Sequence, residues 1–471
     1  MSLRVLLVNV GIRPRFYPLV SPPLGIMYLA AWLRDHMDVE PRLINQRLNN
    51  LSNEAIVAAA ADFEADVVCL GALTTAAHRL KPIVAGIREK LPNALVLQGG
   101  PDASARGKVA LEESGADALV PGEGELATEM LLRAYQDGSD FSGIPGIFWR
   151  DKNGEVVGNP GPVPLVEDVD TLPFPAYDLI HLPDYWRHQT MSPLPPRKYA
   201  AVFSSRGCPY RCIWCHRVFG KRFRAHSAER MVEEIEFLRR RYGVNEFEFI
   251  DDIFNHDRRR VLEFCDLLGR RGIEIKITFP NGVRGDILTD DVLEALVEQG
   301  MYFCSFALET GSPRLQELSR KKLNIPRFFE NIEKTVRLGV FANGFMMLGF
   351  PTETEAELEG TIRAACESQL HTASFFAVTP FPNTELYGIA RELVPDKLKG
   401  ISYADLTCVG GWINVSGVSD AVLTRKLREA NRRFYGRPSR VGRILRDYPK
   451  PLLLPLYAGM MGYRLTRGVL R

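Results

Sequence analysis

The chain has 471 residues, enough for two or three domains, and its 59 basic and 57 acidic side chains leave a net charge of +2. So balanced a charge gives no reason to expect a nucleic-acid partner. Eight cysteines are too few for a disulfide scaffold, and no stretch reaches the roughly 18 apolar residues that a membrane span requires.

The opening "MSLRVLLVNVGI" carries one arginine and a short apolar run ending at Gly11, which reads as a first buried strand rather than a signal peptide. "RVLLVNV" precedes the helical pattern "PPLGIMYLAAWLRDH". "PRLINQ", "DVVCLGALT", "NALVLQGG" and "DALVPGEGE" follow, separated by segments such as "LKPIVAGIREKL". Nearly continuous apolar strands alternating with helices predict a parallel sheet covered on both faces. Residues 1–140 are therefore expected to form a doubly wound, Rossmann-like α/β domain, with ligands beyond the carboxyl ends of its strands.

Residues 141–197 break the pattern. Asn153-Gly154 between two apolar stretches predicts a hairpin. The proline-rich "NPGPVPLVEDVDTLPFPAYDL" forbids a long helix or a central strand, so an extended connector is expected.

Across residues 198–390 the alternation resumes. The strand candidates are "YAAVFSS", "EFEFID", "EIKITF", "YFCSFALE", "FANGFMMLG" and "ASFFAVTP". Between the first two, Met231, Ile235, Leu238 and Tyr242 form one helical stripe with Ser227 placed to cap it. A later helix has Thr289 as its cap and Val292, Leu293, Leu296 and Val297 as its apolar face. Six such units predict a partial (β/α)6 barrel of TIM type, with chemistry at the C-terminal ends of its strands. Residues 391–471 read as a basic helical extension. Its final "PKPLLLPLYAGMMGYRLTRGVLR" is expected to pack on the barrel, in preference to a peripheral membrane contact.

The loop after the first barrel strand, "SSRGCPYRCIWCHRVFG", holds Cys208, Cys212 and Cys215. Cys69, Cys265, Cys304, Cys366 and Cys408 are scattered through apolar strands and read as buried structural thiols. A structural zinc would want a fourth ligand, for which His216, directly after Cys215, is poorly placed. A redox dithiol would need two of the three. A 4Fe–4S cluster held by three thiolates would leave one iron open to a small molecule. A zinc-stapled binding protein stands as the alternative that is not an enzyme.

Three cysteines at this spacing, with Trp214 just before the last, resemble the signature of the radical S-adenosylmethionine superfamily. The resemblance implies that the open iron chelates S-adenosylmethionine, whose reductive cleavage yields a 5′-deoxyadenosyl radical. "ALETGSP" is similar to the family segment that neighbours the cofactor, which implies roles for Glu309 and Ser312. "FMMLGFPTETEAE" resembles the fifth-strand segment, with Thr352 where a second glycine is common. "TPFPNTELY" resembles the sixth-strand end, with Asn383 where glycine is more frequent. Asp251 and Asp252 in "FIDDIFNHD" read either as a pair that binds or deprotonates substrate or as a solvated acidic loop.

Upstream, "SPPLGIMYLAAWLRD", "GALTTAAHRLKPI", "LQGGPDAS" and "DALVPGEGE", followed by "LPFPAYDL", resemble the cobalamin-dependent subfamily. The implied corrin contacts are Thr74, Thr75, Gly99, Gly100, Gly122 and Glu123. The Asp-x-His-x-x-Gly pattern of methionine synthase-like domains is absent, and His36 and His78 are the histidines of this domain. The resemblance spans roughly Val5 to Tyr387. It implies a cytoplasmic enzyme with a 4Fe–4S cluster, S-adenosylmethionine and cobalamin that methylates an unactivated carbon, with cyclisation, rearrangement or oxidation second. A small-molecule substrate and a reducing donor such as flavodoxin or ferredoxin are the expected partners. No catalytic residue is assigned beyond the cofactor contacts.

Overall fold

Hydrophobic residues on both faces of "LRVLLVNV" make β1 (Leu3–Val10) a central strand, with Val5 to Val8 sealed from solvent. The computed structural model describes residues 2–13, 19–190, 192, 194, 197–406, 412–455, 458 and 459. Cys408 and the chain beyond residue 459 lie outside the described residues. The chain divides into two compact units: Met1–His188 with His216–Arg224 and Ser402–Asp405, and Gln189–Cys215 with Ala225–Ile401 and Leu406–Arg471.

The first unit adds β2 (Val39–Asn45), β3 (Val67–Ala72), β4 (Leu95–Gly99) and the short β5 (Ala118–Leu119). They pair in parallel in the order β2-β1-β3-β4-β5. This is a doubly wound sheet whose topological switch point falls between β1 and β3, where such folds bind ligands. The helix Leu80–Lys90 buries Ile83, Val84 and Ile87 against one face of the sheet, together with Leu6, Val8, Val68 and Leu70. The expected hairpin forms as β6 (Phe148–Arg150) and β7 (Val156–Gly158), turning at Gly154 with φ +79°. β6 pairs antiparallel with β5, so the hairpin extends the same sheet.

The second unit contains β8 (Ala200–Val202), β9 (Glu246–Phe249), β10 (Lys276–Val283), β11 (Met301–Glu309), β12 (Phe341–Leu348) and β13 (Thr372–Ala377). All six expected strands form, and they pair in parallel in chain order. Sequential parallel strands joined by right-handed helical crossovers curl into part of a barrel, with helices outside and a concave face within. Ser227 caps the helix Ala228–Tyr242 by accepting from the Arg230 amide. Thr289 stands at the N-cap of Asp290–Glu298 but makes no capping bond with its side chain. Of the scattered cysteines, Cys69 and Cys304 lie buried in strands as expected, whereas the buried Cys265 and Cys366 lie in helices. Their helical patterns carry an apolar face just as a strand does, so burial alone misplaces them. The basic extension supplies the helix Asp420–Tyr435, whose Phe434 and Tyr435 pack on β13 through the Phe375 ring and the Ala373 backbone.

Candidate active site

The cysteine loop leaves the carboxyl end of β8, and a buried carboxylate holds its root. Asp251, just past β9, accepts from the Ser204 amide at 3.1 Å and from the Ser204 and Ser205 hydroxyls through the same Oδ1. Its backbone carbonyl accepts from Asn281 at 2.7 Å. Burial thus rules out the solvated-loop reading for Asp251 and gives it a structural task. It is 2% exposed and braces the loop, which sequence spacing could not show because its partners lie 46 and 47 residues away. Asp252 is half-buried beside it.

Within the loop, Ile213 turns inward between two backbone bonds, donating to Ser319 O at 3.1 Å and accepting from the Leu386 amide at 2.9 Å. That anchor leaves Cys212 and Cys215 flanking a buried residue. The Cys215 amide donates to Cys212 O, and Trp214 meets Phe350 edge-on at 5.3 Å. None of the three cysteines is in a disulfide, and all are half-buried. A hydrogen bond from the Cys215 thiol draws Cys212 down to about 7 against the cost of burial, helped by the nearby Lys321 cation, while Cys215 is pushed up. Tyr210 lies against the Arg284 guanidinium at 3.9 Å, and Asp286 and the Lys321 and Lys322 carbonyls hold that guanidinium in turn.

Glu309, the last residue of β11, has a left-handed backbone at φ +65°. That conformation costs a non-glycine residue about 1–3 kcal/mol and concentrates at functional sites. Its carboxylate pairs with Lys321 at 3.3 Å, both side chains being 11% exposed. Sequence reading passed over Lys321, which lies between two residues of left-handed backbone, Arg320 and Lys322, that their residue types do not announce. Ser312 caps the helix Pro313–Leu318 and donates its hydroxyl to Glu357 at 2.7 Å. A Cβ on Gly311 would meet Thr361 Cα at 3.2 Å, so this glycine admits a neighbouring helix. Thr352 and Asn383, which replace the family's glycines, both adopt the left-handed backbone, at φ +62° and +61°. Beside Thr352, the buried Glu353 accepts the Gly349 and Phe350 amides through Oε2, while its Oε1 has no partner. Burial pushes this carboxyl up to about 7.

In the first unit, the carboxyl ends of β1 and β3 expose Ile12 and Leu73, each 44% accessible. Val10 and Ala72 pair in register, so these two apolar side chains extend from neighbouring strand ends at the switch point. Thr74 and Thr75 open the short helix that follows β3. Gly100, after β4, has φ +84°, and a Cβ there would meet the Ala72 amide nitrogen at 3.0 Å. Gly99 lies beside it at the end of β4. Ser104 stitches this turn to the next, its hydroxyl donating to Gly100 O and accepting from the Gly122 amide. Glu123 is buried in an ion pair with Arg224, which also donates to Val166 O.

These surroundings fit the groups the sequence implies. Three unbridged thiols on one braced loop beside a lysine suit a cluster that spreads its cysteines over separate irons. A single zinc would gather its donors at one point and ordinarily take a fourth ligand. The exposed apolar pair at the β1/β3 switch point, flanked by threonines and glycine turns, suits a broad corrin ring.

Comparison with known proteins points the same way. The radical SAM superfamily profile matches residues 202–365, and the B12 binding domain profile matches residues 17–132. A protein named as an uncharacterized methyltransferase in Pyrococcus horikoshii is 32% identical over 426 residues, 89% of this chain and 88% of that one. The cytidylyl-2-hydroxyethylphosphonate methyltransferase of Streptomyces wedmorensis is 27% identical over 90% and 88% of the two chains. The fold matches the radical S-adenosylmethionine methyltransferase TsrM of Kitasatospora setae, solved with cobalamin and a [4Fe-4S] cluster bound. The TM-score is 0.71 at 18% identity, over 93% of this chain and 90% of that one.

Proposed function

This chain belongs to the cobalamin-dependent radical S-adenosylmethionine family, and from that premise we propose that it transfers a methyl group to an unactivated carbon of a small molecule. One observation carries the reading: a braced three-thiol loop at the mouth of a partial barrel shares one chain with a B12 binding domain. The methyltransferase relatives favour methyl transfer over cyclisation, rearrangement or oxidation.

Cys208, Cys212 and Cys215 are the residues that would hold the cluster. When bound, the cluster with S-adenosylmethionine supplies a carbon-centred radical, and the corrin supplies the methyl group. Around them the chain's own groups set position and charge. Asp251 and Ile213 keep the loop in one shape, so the thiolates need not be ordered at the moment of loading. Lys321 places a cation beside Cys212 and Cys215. Glu309, which balances it, and Ser312 are the proposed S-adenosylmethionine contacts. Thr74, Thr75, Gly99, Gly100, Gly122 and Glu123 are the proposed corrin contacts.

The reading also calls for a low-potential donor such as flavodoxin or ferredoxin and a reducing, cytoplasmic compartment, where thiols persist. Among the described residues no helix is long and apolar enough to cross a membrane. The test is anaerobic reconstitution with iron and sulfide, then incubation with S-adenosylmethionine labelled in its methyl group. The expected outcome is about four irons and four sulfides per chain, 5′-deoxyadenosine, and label in the product. Deoxyadenosine without label in any product would sink methyl transfer; one zinc and no iron would sink the radical reading as well.

A further inference from the structure

The concave face of the second unit is filled at its lower end and open at its upper end. Register and alternation identify its residues. Phe306 and Phe375 pack outward on the helical residues Phe328 and Phe434, so their sequence neighbours point inward. At the bottom, Phe303 and Phe341 pack with Leu194 and Tyr448, while Arg197 pairs with Glu246 and Glu248. Above them runs a polar row: Asn343 donates to Ser305 at 3.2 Å and accepts from Thr372 at 2.8 Å. All three are 3% exposed or less and each is hydrogen-bonded, so this row is a floor with no polar demand left over.

The next positions upward behave differently. Ala307, Phe345 and Ser374 share one row, and Met347 with Phe376 the row above, by strand pairing. All five are half-buried, while the residues between them on the same strands (Phe306, Leu308, Met346, Leu348, Phe375 and Ala377) are sealed. Partial exposure confined to the inward positions marks an open cup above a closed floor. The Phe345 and Phe376 rings lie 6.0 Å apart, tilted by 41°. Gly282 of β10 faces Phe345, since a Cβ there would come within 3.8 Å of that ring. The charged group at the top of β11, Glu309, is already balanced by Lys321.

We propose that this cup selects the substrate class: the part of the substrate brought to the reacting position is an uncharged, apolar aryl or alkyl group, held by contact with Phe345, Met347 and Phe376. The proposal rests on the radical methyltransferase reading and adds to it what the site accepts. A charged group placed there would lose its hydration and find no counter-charge on β12 or β13, whereas an apolar group gains contact with Phe345, Met347 and Phe376. The constraint applies to the reacting end, and polar groups farther along the same molecule lie outside the cup.

The test uses the full chain, anaerobically reconstituted and supplied with S-adenosylmethionine. Indole, the cation tryptamine and the anion indole-3-acetate serve as matched probes, and binding is read by ligand-observed NMR titration. Indole is expected to bind at least about tenfold more tightly than either charged congener. Phe345→Asp is expected to weaken indole by about tenfold or more and to shift the preference toward tryptamine; far-UV dichroism establishes that the variant is folded. Met347→Lys, at the more open row, is expected to shift it toward indole-3-acetate and keeps the test alive if Phe345→Asp does not fold. No measurable binding of indole, equal binding of the three probes, or preferences unmoved by both variants would overturn the cup. Transfer of label from methyl-labelled S-adenosylmethionine by the unmodified enzyme reports on the methyltransferase reading separately, so either idea can fail without the other.

Discussion

The Asp251 carboxylate collects an amide and two hydroxyls through one oxygen, and its other oxygen is buried without a partner. Removing it would leave the Ser204 amide and hydroxyl with nothing to bond, each a penalty of about 1–3 kcal/mol, and the Ser205 hydroxyl with only the Ile253 carbonyl at 3.3 Å. Asp251→Ala is therefore expected to lower the iron bound per chain after anaerobic reconstitution several-fold and to destabilise the second unit by about 3 kcal/mol or more. Asp251→Asn, which keeps one acceptor, should recover most of the iron. Iron analysis alongside urea unfolding checks both; full iron loading in Asp251→Ala would show that the loop holds its shape without the brace. The acid itself was conspicuous in the sequence, but its task was not. A doubled Asp at a strand end looks alike whether it faces solvent, a substrate or the next strand's loop. Only packing separates those cases.

At the scale of elements, the turn after β12 shows how a motif survives a changed residue. Thr352 takes the left-handed backbone that glycine usually supplies. The turn is held by Glu353, which receives the Gly349 and Phe350 amides, and by Arg314, which reaches Thr352. Burial raises the Glu353 carboxyl from 4.5 to about 7, so the folded chain keeps a proton that the unfolded chain gives up. The stabilising contribution is therefore full below pH 4.5 and lost as the pH rises to about 7, flattening above it. His371, packed on Phe341 and lowered by burial to about 4, works the other way: its contribution is full above pH 6.5 and lost as the pH falls toward 4. In urea titrations, Glu353→Gln should be the more favourable relative to the parent at pH 8 than at pH 5, by about 2–3 kcal/mol. A difference independent of pH would mean that Glu353 is ionised in the folded chain. The strands and helices were legible because apolar period and capping residues are local signals. Thr289 shows the limit, since occupying a cap position does not oblige a hydroxyl to turn toward the helix.

For the molecule as a whole, the chain leaves the barrel unit directly after Cys215 and joins the corrin-type unit as His216–Arg224. A buried ion pair between Arg224 and Glu123 ends that excursion. Breaking such a pair strands a charge, whereas replacing both members with apolar groups of similar size is often neutral. Glu123→Leu and Arg224→Met are each expected to cost about 3–5 kcal/mol in the first unit, and the double variant to recover most of it. Denaturant unfolding, followed as separate transitions for the two units, reads this directly; additive losses in the double variant would count against the coupling. The sequence by itself determined the alternating strands, the hairpin at Asn153-Gly154 and the three-thiol loop, because each depends on neighbours a few residues apart. Tertiary structure alone decided that Glu123 pairs with Arg224, that Asp251 braces Ser204 and Ser205, and that Phe345, Met347 and Phe376 line one cup. The first partners lie 101 residues apart, the second 47 and 46, and the three cup residues come from two different strands, so no local period records them.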